Sequence, residues 1–283
     1  MRGWLVCIAL TSCGLFPSLG DLTNGDAGAD AVAGDVAAPD TGVDSGADAR
    51  SDAPSDVSVA PDGCSGKAGP TLVQAGSVCI DGTEVTNVQY TQFLAAATST
   101  SRPECSWKTT YKPGGTWPYP PGADNYPVAY VDWCDAVSFC EWSGKRLCGR
   151  IGGGPIVQSS AGNSALDQWT AACSHAGDGN HLYPYGNTFT PSACNGPEHD
   201  SGATLPVGFL TTCAGGYPKM FDMIGNVYEW EDGCSAATGA SDDCNQRSGS
   251  FTDPPGATTT CAYYRSAARN FRDNDIGFRC CGP

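Results

Sequence analysis

RSAARNFRDNDIGFRCC, residues 265–281, sets four arginines among small residues and runs into Gly-Phe-Arg and two adjacent cysteines. An arginine run is ordinarily a solvated face, yet Ala267 and Ala268, with aromatics to either side, are poor company for one. Cys280 and Cys281 are expected to bond to different partners, because neighbouring cysteines close on each other only with strain. The string therefore reads as chain drawn into a core and cross-linked there.

Working outward, the sequence holds 16 cysteines, of which Cys64, 79, 105, 134, 140, 148, 173, 194, 213, 234, 244, 261, 280 and 281 fall between 64 and 283. No C-x2-C knuckle occurs among them, so metal–thiolate binding is the weaker reading. An even count in an exported chain reads as up to seven disulfides, with a connectivity that spacing alone leaves open. Helix signals are few. Thr86 to Ala97 carries Thr86 as N-cap, Asp132 to Ser143 begins on Asp132 and stops at Gly144, and Ser164 to Ser174 reads as a third, shorter helix. Everything else is Gly, Pro, Asn and aromatic residues in short runs, the pattern of a loop-rich, disulfide-rich α+β domain over 64–283.

Residues 13–62 are of another kind. Between 21 and 62 stand ten aspartates against the single Arg50, which is −9 of the chain's formal −15, without an aromatic or a cysteine. Such a segment buries too little apolar surface to offset its ordering and reads as a disordered acidic tether. The acidity belongs mostly to this tether, and the absence of a basic patch argues against nucleic acid as a partner. Ahead of it, Arg2 and the apolar run Trp4 to Leu10 read as a signal peptide over 1–12. Leu10-Thr11-Ser12-Cys13 resembles a lipoprotein lipobox, which implies lipidation at Cys13 and attachment to the membrane by acyl chains. Gly14 rather than Asp after that cysteine favours the outer membrane under the sorting rules this resemblance brings.

Further strings stand in order along 75–281: CIDGTEVTNVQYTQFL, YPVAYVDWCDAVSFCEWSGKRL, QWTAAC, YPYGN, LPVG, FDMIGNVYEWEDG, RSGSF and the closing string. Together they resemble the formylglycine-generating enzymes, the sulfatase-modifying factor domain, whose fold is similar to that of C-type lectins. An insertion at 148–163 and the many cysteines depart from the pattern. The resemblance implies that Arg265, Arg269 and Arg279 lie buried or half-buried, paired with carboxylates or carbonyls, with Asp273 and Asp275 as candidate partners.

FDMIGNVYEW carries the strongest metal signal. Hard cations take carboxylate and carbonyl oxygens on a tight turn; Asp222 and Glu229 supply the first, and Gly225 lets the turn fold back. The resemblance assigns calcium to Asp222, Gly225, Val227 and Glu229, and a second calcium to Asn195, Gly196 and Asp200 on a shortened segment. It also implies a copper(I) centre of two cysteines that follows the serine of the Gly-Ser string, here Ser250. Cys261 falls on the second cysteine position, whereas the first falls on Thr252 or Asp253. One thiolate makes no two-coordinate copper(I) site, so copper is not expected and Cys261 reads as half of a disulfide. The substrate groove of the family has Tyr228 at an altered aromatic position. His175, His181 and His199 show no H-x3-H spacing and read as solvated loop residues. Ser250 is not in a G-x-S-x-G elbow and has no visible base.

Two functions follow. The first is a lipid-anchored binding or structural domain with a protein, peptide or glycan ligand. The second is an envelope oxidoreductase of the formylglycine-generating type, which requires a further metal ligand beside Cys261.

Overall fold

Reciprocal caps start the two longer helices. In the computed structural model, which describes residues 64–199, 201–253 and 259–283, helix α1 spans Asn87–Ala95 and α2 spans Trp133–Trp142. Thr86 accepts the amide of Gln89 while Gln89 accepts the amide of Thr86, and Asp132 and Asp135 repeat the exchange at α2. Each box satisfies two amides that a helix start leaves without partners. Gly144, at φ +72°, follows the last turn of α2 in the left-handed conformation that a side chain resists. Helix α3, Gln168–Cys173, is shorter than the Ser164–Ser174 expected from sequence. Asp167 is extended and caps Thr170, and the same carboxylate accepts the amide of Gly162 and lies 3.5 Å from Arg247. Tertiary partners hold Asp167 at the helix start, so residues 164–166 form a turn instead.

The strands are β1 (Leu72–Ala75), β2 (Val78–Asp81), β3 (Arg146–Leu147), β4 (Tyr228–Cys234), β5 (Asp243–Arg247), β6 (Tyr264–Ala268), β7 (Ile276–Gly277) and β8 (Cys280–Cys281). One sheet has the order β1-β2-β8-β3, all antiparallel. The other runs β6-β5-β4-β7, with β7 parallel to β4. Residues 265–281 thus reach both sheets: β6 and β7 form the two edges of one, and β8 sits inside the other. Phe278, between β7 and β8, is fully buried and meets Phe139 edge-on at 5.4 Å, beside Tyr90 and Phe93 of α1. A second apolar cluster gathers Trp169, Met220, Met223 and Ile224. Among the described residues no helix is long and apolar enough to cross a membrane.

All fourteen cysteines pair: 64–79, 105–134, 140–280, 148–281, 173–261, 194–213 and 234–244. Cys280 and Cys281 take different partners because successive strand residues point to opposite faces, one toward α2 and the other toward Cys148. The insertion at 148–163 starts on that bridge and is tied down where the amide of Ile156 meets the carbonyl of Asp232 at 2.7 Å.

The arginines of the closing string turn inward. Arg269 bonds Asp242 at 2.6 Å and the carbonyls of Gly239 and Ala236. Arg279 is fully buried, and Arg265 is half-buried with its guanidinium 3.4 Å from the centre of the Tyr228 ring. Asp275 approaches Arg265 at 4.0 Å, but Asp273 does not serve as a partner: its carboxylate turns back to the amide of Asn274. The leader 1–12, Cys13 and the tether 13–62 lie outside the described residues, as does Asp200.

Candidate functional site

The turn Ser250–Asp253 follows β5 and packs against β4. Ser250 donates to Asp275 at 3.1 Å and exchanges a hydrogen bond with Thr252 at 2.9 Å. Asp253 accepts the amide of Ser250 at 2.8 Å and a hydrogen bond from the Tyr228 hydroxyl, whose pKa is raised by burial and by this neighbouring carboxylate. Ser250 is therefore held by carboxylates and a hydroxyl, with no imidazole to take its proton. Cys261 is bonded to Cys173 at the end of α3 and is 2% exposed. A copper(I) dithiolate does not fit these residues: one position is a hard carboxylate and the other is a bridged sulfur.

Beside that turn lies a cavity of about 370 Å³, whose lining includes Trp117, Tyr119, Tyr126, Tyr130, Phe251 and Asn274. Aromatic faces interleaved with a few polar groups suit extended peptide or sugar rings. Tyr130 is held at φ +57° by two backbone hydrogen bonds, to Gly114 and Asp273.

Beneath β4, acids crowd around one cation. Arg279 donates through Nε to both oxygens of Glu229, at 2.7 and 2.9 Å, and through its terminal nitrogens to the carbonyls of Asp81, Phe221 and Asp222. Trp169 Nε1 adds a third bond to Glu229 at 2.7 Å. Glu229 thus differs from the sequence expectation: its carboxylate is saturated by the protein itself. The oxygen left over is on Glu84, which lies in the string CIDGTEVTNVQYTQFL but 138 positions before Asp222, so nothing local links it to the metal turn. Glu84 is fully buried, takes one bond from Asn226, and its Oε2 receives no bond from an amide, hydroxyl or cationic donor, leaving the Asp222 carboxyl as its hydrogen-bonding neighbour.

Burial and the neighbouring Asp222 push the Glu84 carboxyl well above its usual pKa, and burial raises Asp222 to about 6. Three buried acids facing one arginine require a shared proton or a second cation. The residues fit a hard cation: Glu84 and Asp222 would hold it, with the turn carbonyls of Gly225 and Val227 assigned by sequence. Gly225 is required there, because a Cβ would lie 2.7 Å from the carbonyl of Asn195 and φ is +76°. If calcium binds, it stabilises the fold by about 2.7 kcal/mol at one hundred times Kd. Melting in calcium is then expected to exceed melting in chelator, and Asp222→Asn to erase the difference. Superimposable curves for the unaltered protein mean that the pair shares a proton.

Of the second calcium set only Asn195 and Gly196 are among the described residues. Asn195 uses its side chain to tie Ala203, Asn226 and Ser201 together, and the carbonyl of Gly196 accepts the amide of His199. The histidines bring a further correction. His175 and His181 are solvent-accessible, as expected, but they are not separate: they converge on Asp178 from either side. The signal was a His-x2-Asp-x2-His spacing on a loop, where helical spacing rules do not apply.

Two four-stranded sheets joined by a buried Gly-Phe-Arg-Cys ending, with a Gly-Asn turn feeding the central strand, define the sulfatase-modifying-factor fold. The chain belongs to the sulfatase-modifying factor enzyme 1-like domain family, which matches residues 65–282. It is 30% identical over 219 residues to the formylglycine-generating enzyme of Thermomonospora curvata, covering 63% of this chain and 64% of that one. It is 28% identical over 201 residues to the formylglycine-generating enzyme of Mus musculus, covering 59% and 49%. The inactive C-alpha-formylglycine-generating enzyme 2 of Bos taurus is 28% identical over 113 residues, covering 37% and 32%. The chain thus spans between about half and two thirds of the length of the first two relatives. PvdO from Pseudomonas aeruginosa shares the fold at a TM-score of 0.50 and 19% identity, over 72% of this chain and 79% of that one.

Proposed function

We propose that this protein is a lipid-anchored envelope protein whose domain binds a protein, peptide or glycan ligand and performs no formylglycine chemistry. The observation that carries this reading is the bridge from Cys261 to Cys173, with Asp253 engaged by Ser250 and Tyr228 at the other copper position. Soft copper(I) gains little from a carboxylate, and each ~1.4 kcal/mol of lost binding is tenfold in affinity. The aromatic cavity beside Phe251 supplies a binding surface that needs no metal. A relative bearing the word inactive in its name accords with loss of chemistry on this fold. Acylation at Cys13, with the acidic tether behind it, would hold the domain on the order of 40 Å from the outer membrane.

The test is incubation of the purified protein with a Cys-x-Pro-x-Arg peptide, copper, oxygen and a thiol reductant, read by mass spectrometry. No aldehyde is expected to form. Copper-dependent conversion that disappears in Cys261→Ser would refute the non-catalytic reading and support the oxidoreductase. The anchoring is tested separately: Cys13→Ser is expected to move the chain from the membrane to the soluble fraction, and unchanged fractionation removes that part.

A further inference from the structure

From the geometry of the loop after α3 we infer a binding site for a divalent late transition metal, zinc above all, formed by His175, Asp178 and His181. Nδ1 of His175 lies 3.2 Å from Oδ2 of Asp178, and Nδ1 of His181 lies 2.9 and 3.0 Å from the two carboxylate oxygens. One ligand atom from each residue falls within 4.8 Å of the others, and among the described residues no other three His, Cys, Asp or Glu side chains bring their ligand atoms that close together. Zinc binds nitrogen and carboxylate oxygen at about 2.0–2.2 Å, which sets neighbouring donors of a tetrahedral site about 3.3 Å apart. The two nitrogen–oxygen edges in this loop are within a few tenths of an ångström of that spacing, and the two imidazole ligand atoms stand within 4.8 Å of each other. Imidazole with carboxylate is a donor set for zinc, nickel or copper(II), and is too hard for copper(I). The fourteen cysteines from Cys64 onward are all bridged, so no thiolate of the domain competes for the ion.

The loop is held in this arrangement by contacts outside the three ligands. The bridge from Cys173 to Cys261 fixes the chain two residues before His175. Asn187 accepts the amide of Leu182 at 2.8 Å and donates to the carbonyl of Gly179 at 2.7 Å, closing the loop across its base. The amide of Asn180 donates to Asp178 at 2.7 Å, and the ring of Tyr217 packs edge-on against His175 at 4.5 Å. Such supports orient metal ligands and raise affinity. The side chains of His175 and His181 are 43% and 24% exposed, which leaves a fourth coordination position open to water or to an incoming ligand. His181 and Cys261 also line a common cavity of about 280 Å³, so the ion would sit at the mouth of a space beside the bridged cysteine.

The test uses the disulfide-intact full chain and zinc chloride alone. The chain has only three histidines, so their ring resonances can be followed one by one in a nitrogen–proton correlation spectrum. Zinc is expected to shift the rings of His175 and His181 at one equivalent with a Kd of about 10 μM or tighter, and to leave His199 in place. His175→Ala and His181→Ala are each expected to weaken binding at least about tenfold, whereas His199→Ala leaves it unchanged. Because the spectrum of the unaltered chain is itself decisive, a variant that fails to fold does not blunt the test. Zinc that titrates without moving the His175 and His181 rings, as would ions held only by the aspartates of the tether, overturns the site. So does binding that survives both alanine variants.

Discussion

Replacing both the Cys140–Cys280 and the Cys148–Cys281 pairs by alanines is expected to cost about 1–2 kcal/mol more than the two single removals together. The bridges span 140 and 133 residues and run side by side, so either one alone closes nearly the same loop. With one removed, the other leaves an extra loop of only about nine residues, worth about 2–3 kcal/mol in the chain-entropy account. With both removed, the ends are joined only through Cys173–Cys261, a path of about 45 residues, which adds about 4 kcal/mol. The double loss of about 6–7 kcal/mol rivals the whole stability of an ordinary domain. Denaturant unfolding of the three variants without reductant measures it. A double effect equal to the sum of the singles would show that local packing around the sulfurs, and not loop closure, sets the stability.

Arg279→Met is expected to destabilise the domain by about 3–5 kcal/mol, the cost of leaving a buried charge without its partner. Its guanidinium meets Glu229 and three carbonyls, and it is the cation among the buried acids Glu84, Asp222 and Glu229. Methionine fills much of the volume, so the loss reports charge and hydrogen bonding more than a cavity. Arg279→Lys is expected to recover only part, since an ammonium cannot reach the carboxylate and the carbonyls of Asp81, Phe221 and Asp222 in one planar fork. Adding Glu229→Gln to Arg279→Met is expected to restore stability, because it removes one of the acids left unpaired. Urea midpoints at constant slope decide this, and a double variant no more stable than Arg279→Met would mean that the arginine acts through packing alone.

What the sequence by itself determined is what depends on neighbours within a few residues, or on a count. The starts of α1 and α2 were legible because Thr86 with Gln89, and Asp132 with Asp135, complete their caps over three residues. The even number of cysteines announced bridges, and the adjacency of Cys280 and Cys281 excluded one pairing. The eight ordered strings carried the fold through their resemblance to the formylglycine-generating enzymes, three of them falling on the helices α1, α2 and α3. The tertiary structure alone decided the rest. Asp167 starts α3 late because Gly162 and Arg247 hold its carboxylate, and Arg247 lies 80 residues away. Glu229 looks like a metal ligand from its own turn, yet Arg279 and Trp169, 50 and 60 residues distant, saturate it and shift the need for a cation to Glu84. His175 and His181 meet on Asp178 because the Cys173–Cys261 bridge and Asn187 bend their loop, which no helical or strand period reports. A buried charge or ligand is defined by whichever group completes it, and in a loop-rich domain that group is placed by chain closure over distances that local pattern does not encode.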